Sequence, residues 1–168
     1  MRQSALMISS ALLIGIMPAP SALADWQYAK WGMAPAEVMS ASGGKAVEKV
    51  ERGGASGKDR KRIVSEYSTG PFAFDVLFEF NVRTSRLAGV SLTLRDTGRE
   101  DGECGDLNGA LFNRYGAATF ESKGQGFDIQ VWQLRSSNTA VGLTRVLSSK
   151  GLCKLRYSAL LNDDNEGL

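Results

Sequence analysis

Histidine is absent from the 168 residues of the chain. That absence excludes Ser-His-Asp and Cys-His catalysis and the commonest zinc ligand sets, which depend on an imidazole to move a proton or hold a metal. Cysteine is scarce too. Cys104 and Cys153 are the two in the chain, so a disulfide-dense scaffold is ruled out and one intramolecular pairing remains. Neither sign of charge is in excess: 20 Lys and Arg face 18 Asp and Glu, a formal net charge of +2. The basic footprint of a nucleic-acid binder is therefore missing. Beyond Met17 no apolar run approaches the ~20 residues that cross a bilayer, so no transmembrane segment is expected.

Three local patterns look chemical and fail on inspection. Ser42-Gly43-Gly44-Lys45 has the Ser-x-x-Lys spacing of penicillin-recognising enzymes. Two glycines break the helix such a pair needs, and the Ser-Asp-Asn and Lys-Thr-Gly companions are missing. The stretch Gly53 to Asp59 is one spacer short of a phosphate loop and lacks the hydroxyl after Lys58. Asp96 to Asp106 is acidic but lacks the residue order of a calcium loop, and charges at a helix start explain it. No residue is assigned a catalytic, cofactor-binding or metal-binding role. An enzyme using carboxylates alone stays as a minor reading, since paired acids can act as acid and base.

What is present begins with a leader. Met1-Arg2-Gln3-Ser4 is a short basic start, Ala5 to Met17 is almost wholly apolar, and Pro18 and Pro20 end any helix. Ala22-Leu23-Ala24 puts small residues where a signal peptidase reads. Residues 1–24 are expected to be a cleavable signal peptide, which implies a periplasmic or secreted location. Its removal takes one charge, Arg2, and lowers the net charge from +2 to +1. Residues 25–161 are expected to form one domain, and 162–168 a disordered polar tail.

Periodicity organises that domain. Pro35 and Glu37 suit a helix start, and Gly43-Gly44 stops it after about two turns. Phe72, Phe74, Val76, Phe78 and Phe80 alternate with more polar neighbours, the clearest strand in the chain. Further strands are expected at 45–51, 63–67, 87–94, 127–134, 139–147 and 152–160, with Arg52 to Arg62 as a Gly-rich basic loop. Cys104, Leu107, Leu111 and Tyr115 recur at helical spacing, predicting a helix from about Gly102 to Tyr115. The expected class is α+β: an antiparallel sheet with two helices packed on one face and a tandem helix-plus-strands repeat. Cys104 falls on the apolar stripe of that helix, and Cys153 on the apolar face of the last strand. Packing brings those surfaces together, so a Cys104–Cys153 disulfide is expected in an oxidising compartment.

Two segments combine expected exposure with strong contact chemistry. The arm carrying Trp26, Tyr28 and Trp31 is either an aromatic anchor for a partner or a flap over one end of the core. Lys58, Arg60, Lys61 and Arg62 either steer an anionic envelope component or form a solvated loop.

The stretch Trp31-Gly32-Met33-Ala34-Pro35-Ala36-Glu37-Val38 resembles the element that opens domains of the SmpA/BamE-like group. The helix-then-sheet layout of those envelope proteins is shared with β-lactamase-inhibitor-like tandem domains. In that element a hydroxyl caps the helix where this chain has Ala34, and the lipid-bearing cysteine of the barrel-assembly lipoprotein has no counterpart here. The resemblance implies a non-enzymatic module acting through protein contacts. The expected function is an exported binding or scaffolding module of the cell envelope, with another envelope protein as partner and no cofactor. The alternative is a secreted inhibitor of a hydrolase. N-terminal sequencing of the exported protein is expected to begin at Asp25; a start at Met1 would defeat the leader assignment.

Overall fold

The structure, a computed structural model, describes residues 26–52, 57, 59–95, 102–147 and 152–160. The leader and the tail expected from the sequence lie outside the described residues. The elements run α1 (Pro35–Ala41), β1 (Val47–Glu51), β2 (Arg60–Thr69), β3 (Phe72–Phe80), β4 (Leu87–Leu94), α2 (Gly102–Tyr115), β5 (Phe120–Lys123), β6 (Phe127–Leu134), β7 (Thr139–Val146) and β8 (Leu152–Ala159). All eight strands join one antiparallel sheet in the order β1-β2-β3-β4-β8-β7-β6-β5. Two four-strand meanders therefore meet along their last strands, β4 and β8.

Alternation decides which residues each strand buries. On β3, Phe74, Val76 and Phe78 point into the core, while Asp75, Leu77 and Glu79 point away. Register carries this across the sheet: Ile63 lies opposite Phe78, then Val90, Tyr157, Val141 and Trp132 follow on successive strands. That row is apolar throughout, and burying it is the main favourable term in folding. Turn chemistry fixes the register locally. Gly70 links β2 to β3 at φ 54, a left-handed conformation that glycine adopts without steric cost. Between β3 and β4 the Asn81 side chain accepts the amides of Arg83 and Thr84 at 2.9 and 3.1 Å.

The expected class is corrected. Among the described residues 52% are in strands and 19% are helical, so the fold is dominated by its sheet and is not α+β with packed helices. Helix α1 buries one side chain, Val38, and α2 buries Leu107 and Leu111. The apolar spacing in 104–115 was a sound helix signal, but it said nothing of how little core each helix supplies. Strand side chains and the aromatic arm supply the rest. The basic loop is shorter than expected as well, because Arg60 to Arg62 belong to β2. Strand β5, which pairs with β6 from Phe120↔Val131 to Lys123↔Asp128, had no apolar alternation to announce it.

Helix α1 keeps half of a capping box. The Glu37 carboxylate accepts the Ala34 N–H at 2.6 Å, but Ala34 has no side-chain acceptor to return the bond. Residues Cys104 and Cys153 are bonded, with Cα atoms 5.7 Å apart, and tie the first turn of α2 to the start of β8. The bridge closes a separation of 49 residues, which constrains the unfolded chain by about 4 kcal/mol in the loop-entropy treatment.

The arm settles into the core. Trp26 is 7% exposed and meets Tyr28, Tyr67 and Phe78 edge-on, with centroids 6.1, 5.6 and 5.7 Å away. Trp26→Ala is therefore expected to cost about 3–5 kcal/mol, and reduction of the disulfide about 4 kcal/mol. Urea unfolding checks both; a Trp26→Ala loss below about 1 kcal/mol would place the arm outside the cooperative core.

Candidate functional site: the open face of the sheet

The face turned away from the core is crossed by a second row of side chains. Val47 lies opposite Val64, then Leu77, Ser91, Arg156, Gly142, Val131 and Phe120 follow, one from each strand. With strands about 4.8 Å apart, the row spans roughly 34 Å. It is apolar at both ends and polar in the middle. Among the described residues no helix crosses this face, because the buried side chains of α1 and α2 belong to the core cluster.

The middle is a built arrangement. Glu79 on β3 accepts a hydrogen bond from the Ser91 hydroxyl of β4, and a second from Arg156 Nε of β8 at 2.8 Å. Lys154, two residues earlier on the same face of β8, stands 3.9 Å from Glu79. Ser91 is 2% exposed, so its hydroxyl is held where it can do little but orient Glu79. Partial burial pushes the Glu79 carboxyl up, but the hydrogen bonds from Ser91 and Arg156 and the charges of Arg156 and Lys154 outweigh it. The net effect holds Glu79 below its ordinary value, ionised at neutral pH. Gly89 completes the centre. A Cβ there would lie 2.8 Å from Arg156 Nη2 and 3.0 Å from Glu79 Oε2, so the guanidinium occupies space that glycine leaves open.

On either side lie two different surfaces. Toward β1, Val47, Val64 and Leu77 floor a hollow of about 570 Å³ whose walls include Lys49, Arg62, Glu66 and Asp75. Glu66 and Asp75 of those walls both pair with Arg95, each at 2.6 Å. Toward β5, Phe127, Ile129 and Val131 form a column on β6, widened by Phe120 across β5 and by Val146 and Leu152 across β7 and β8. Phe120 and Phe127 are 57% and 46% exposed, a cost in water that isolated apolar residues do not repeat at this density.

The residues singled out from the sequence fall elsewhere. Trp26 is core, and Tyr28 and Trp31 pack against it half-buried, so the arm covers one end of the core. The Tyr28 hydroxyl and Trp31 Nε1 are buried without a hydrogen-bond partner among the described residues. Lys58 lies outside the described residues. Lys61 pairs with Glu48 at 2.9 Å and Arg62 with Glu51 at 2.8 Å, so β1 neutralises two of the cations proposed to steer an anionic partner. Arg60 lies opposite Glu51. The Ser91, Glu79, Arg156 and Gly89 centre was missed. Its one sequence signal is that Glu79 interrupts the apolar strand 72–80; Gly89 and Ser91 come from the next strand, but Arg156 lies 77 residues away.

Among the described residues no three or more His, Cys, Asp or Glu side chains are grouped to hold a metal, and no helix is long and apolar enough to cross a membrane. Compared with known proteins, the chain matches no family model and no curated protein. It is similar to the crystal structure of a DUF4309 family protein, YjgB, from Bacillus subtilis, at 9% identity and a TM-score of 0.44, over 75% of this chain and 78% of that one.

Because Glu79 titrates lower in the folded state, the native protein binds fewer protons there than the unfolded chain does. Its contribution to stability is present above the ordinary carboxylate range of about 4.3 and is lost as pH falls through the folded value. The stability gap between wild type and Glu79→Gln is therefore expected to narrow on acidification from pH 7 to below pH 4. Urea midpoints at each pH measure it, and a gap independent of pH would contradict the assignment.

Proposed function

We propose that this chain is an exported, non-enzymatic binding module of the cell envelope, working in the periplasm or outside the cell, that engages another envelope protein through its open sheet face. One observation carries the reading: an eight-strand row presents apolar side chains at both ends and a held ionic centre between them. Large apolar side chains supply contact area, and a charged centre supplies selectivity, the division of labour found in protein interfaces. The location is supported by the leader-like residues 1–24 and by the disulfide, which persists in oxidising compartments. The resemblance of Trp31 to Val38 to an envelope-protein element agrees with it.

The test is co-purification from an envelope extract with the disulfide-intact protein as bait. Wild type is expected to retain a stoichiometric envelope protein, and Phe120→Ser combined with Phe127→Ser to lose it at least tenfold while unfolding at an unchanged urea midpoint. Retention by the double variant would move the contact off this face. A stoichiometric complex with a secreted hydrolase, with loss of its activity, would select the inhibitor reading instead.

A further inference from the structure

We infer that Arg156, assisted by Lys154, is a receptor for one carboxylate of the partner, an Asp or Glu side chain presented between two apolar side chains. This deepens the docking reading of the open face and rests on it. The first support is preorganisation. Arg156 Nε is bound to Glu79, Glu79 is oriented by the buried Ser91 hydroxyl, and the guanidinium lies in the space left by Gly89. An arginine held in this way has lost most of its rotamer freedom before binding, so less is lost when a ligand arrives. Its side chain is still 47% exposed, which leaves the terminal nitrogens within reach of a docking group.

Charge complementarity supplies the second support. Among the described residues Glu79 is the one acid within ion-pair range of Arg156 and of Lys154. Two cations against one carboxylate leave this centre with one positive charge, while toward β1 on the same face Arg95 meets two acids, Glu66 and Asp75. A singly charged carboxylate balances that centre, whereas a phosphate dianion would overshoot it. Arg156 also presents the planar fork that suits a carboxylate.

The third support is what flanks the charge. Leu77 and Val131 stand in the same row as Arg156, each two strands away on opposite sides, about 10 Å at normal strand spacing. Ser91 and Gly142 fill the positions between and are too small to keep a partner away from the guanidinium. An acid on the partner reaches Arg156 when its apolar neighbours settle on Leu77 with Val64 and on Val131 with Phe120. A partner without that acid would leave the centre covered and its spare charge dehydrated, which is how a buried charge rejects wrong partners.

Selection of a displayed library of twelve-residue peptides on the immobilised, disulfide-intact protein tests the inference. Selected peptides are expected to carry an Asp or Glu flanked by apolar residues, and replacing that acid by its amide should weaken binding at least tenfold. Arg156→Gln should weaken the acidic peptide by the same factor and leave the amide peptide unaffected, the mark of a coupled pair. Gly89→Ala gives an independent route: its Cβ meets only the ends of two flexible side chains, so the sheet should stay folded while Arg156 is pushed off Glu79. It should also cost at least tenfold in peptide binding in a protein that still unfolds in one cooperative transition. Peptides that need Phe120 but bind Arg156→Gln as tightly as wild type would overturn the carboxylate receptor and leave the docking face standing. Failure to select any peptide sensitive to Phe120 or Arg156 would overturn both. Binding to phosphatidylglycerol vesicles lost in Arg156→Gln, with no acidic peptide selected, would likewise overturn it in favour of a lipid headgroup.

Discussion

Pairing between β4 and β8 joins two meanders that would otherwise each end on an open edge, from Gly89↔Ser158 to Thr93↔Lys154. It places Val90 and Leu92 beside Tyr157 and Leu155 on the core side, and Ser91 beside Arg156 on the other. Strand side chains alternate with a period of two, so a slip of one residue would drive Lys154 and Arg156 into the core and expose Leu155. The penalty for burying two such charges without partners far exceeds the stability of an ordinary domain's single contacts. Register here is consequently all or nothing. The Cys104–Cys153 bridge reinforces it by tying the first strand-buried residue of β8 to α2.

The same pairing explains why a charged centre is tolerated in the middle of an eight-stranded sheet. Arg156 and Lys154 stand on an interior strand, but on its open face, where water still reaches them. Glu79 is more confined, and it is satisfied by Ser91, Arg156 and Lys154 together. Ion pairs at half-exposed sites add little to stability because solvent screens them. The arrangement therefore has no strong structural reason to exist on stability grounds. On the proposed docking reading, its consequences fall on what the face binds: orientation, partner selectivity and encounter rate.

Legibility from the sequence varied with the range of the interaction. The strand 72–80 and the helix 102–115 were readable because their periodicity is local, and the disulfide followed from two apolar faces that had to meet. The extent of β2 was not readable, since Arg60-Lys61-Arg62 shows no apolar alternation and is held in a strand by pairing with the acidic strand β1. Short β5 was hidden for a similar reason: Phe120-Glu121-Ser122-Lys123 has one apolar residue, and its partner β6 makes it a strand. The balance of helix and sheet was misjudged because amphipathic spacing reports that a helix forms, not how much of the core it carries.

By itself the sequence determined the exclusions and the local elements. The absence of histidine removed whole classes of chemistry, two cysteines allowed one internal bridge, and alternation at 72–80 committed that segment to a half-buried strand. Tertiary structure alone decided the class of the fold, the burial of Trp26, and the meeting of Glu79, Gly89, Ser91 and Arg156. Those four residues lie on three strands, and only cross-strand register brings them together. Local propensity acts over a few residues, whereas register is set by the burial of one whole sheet face at once.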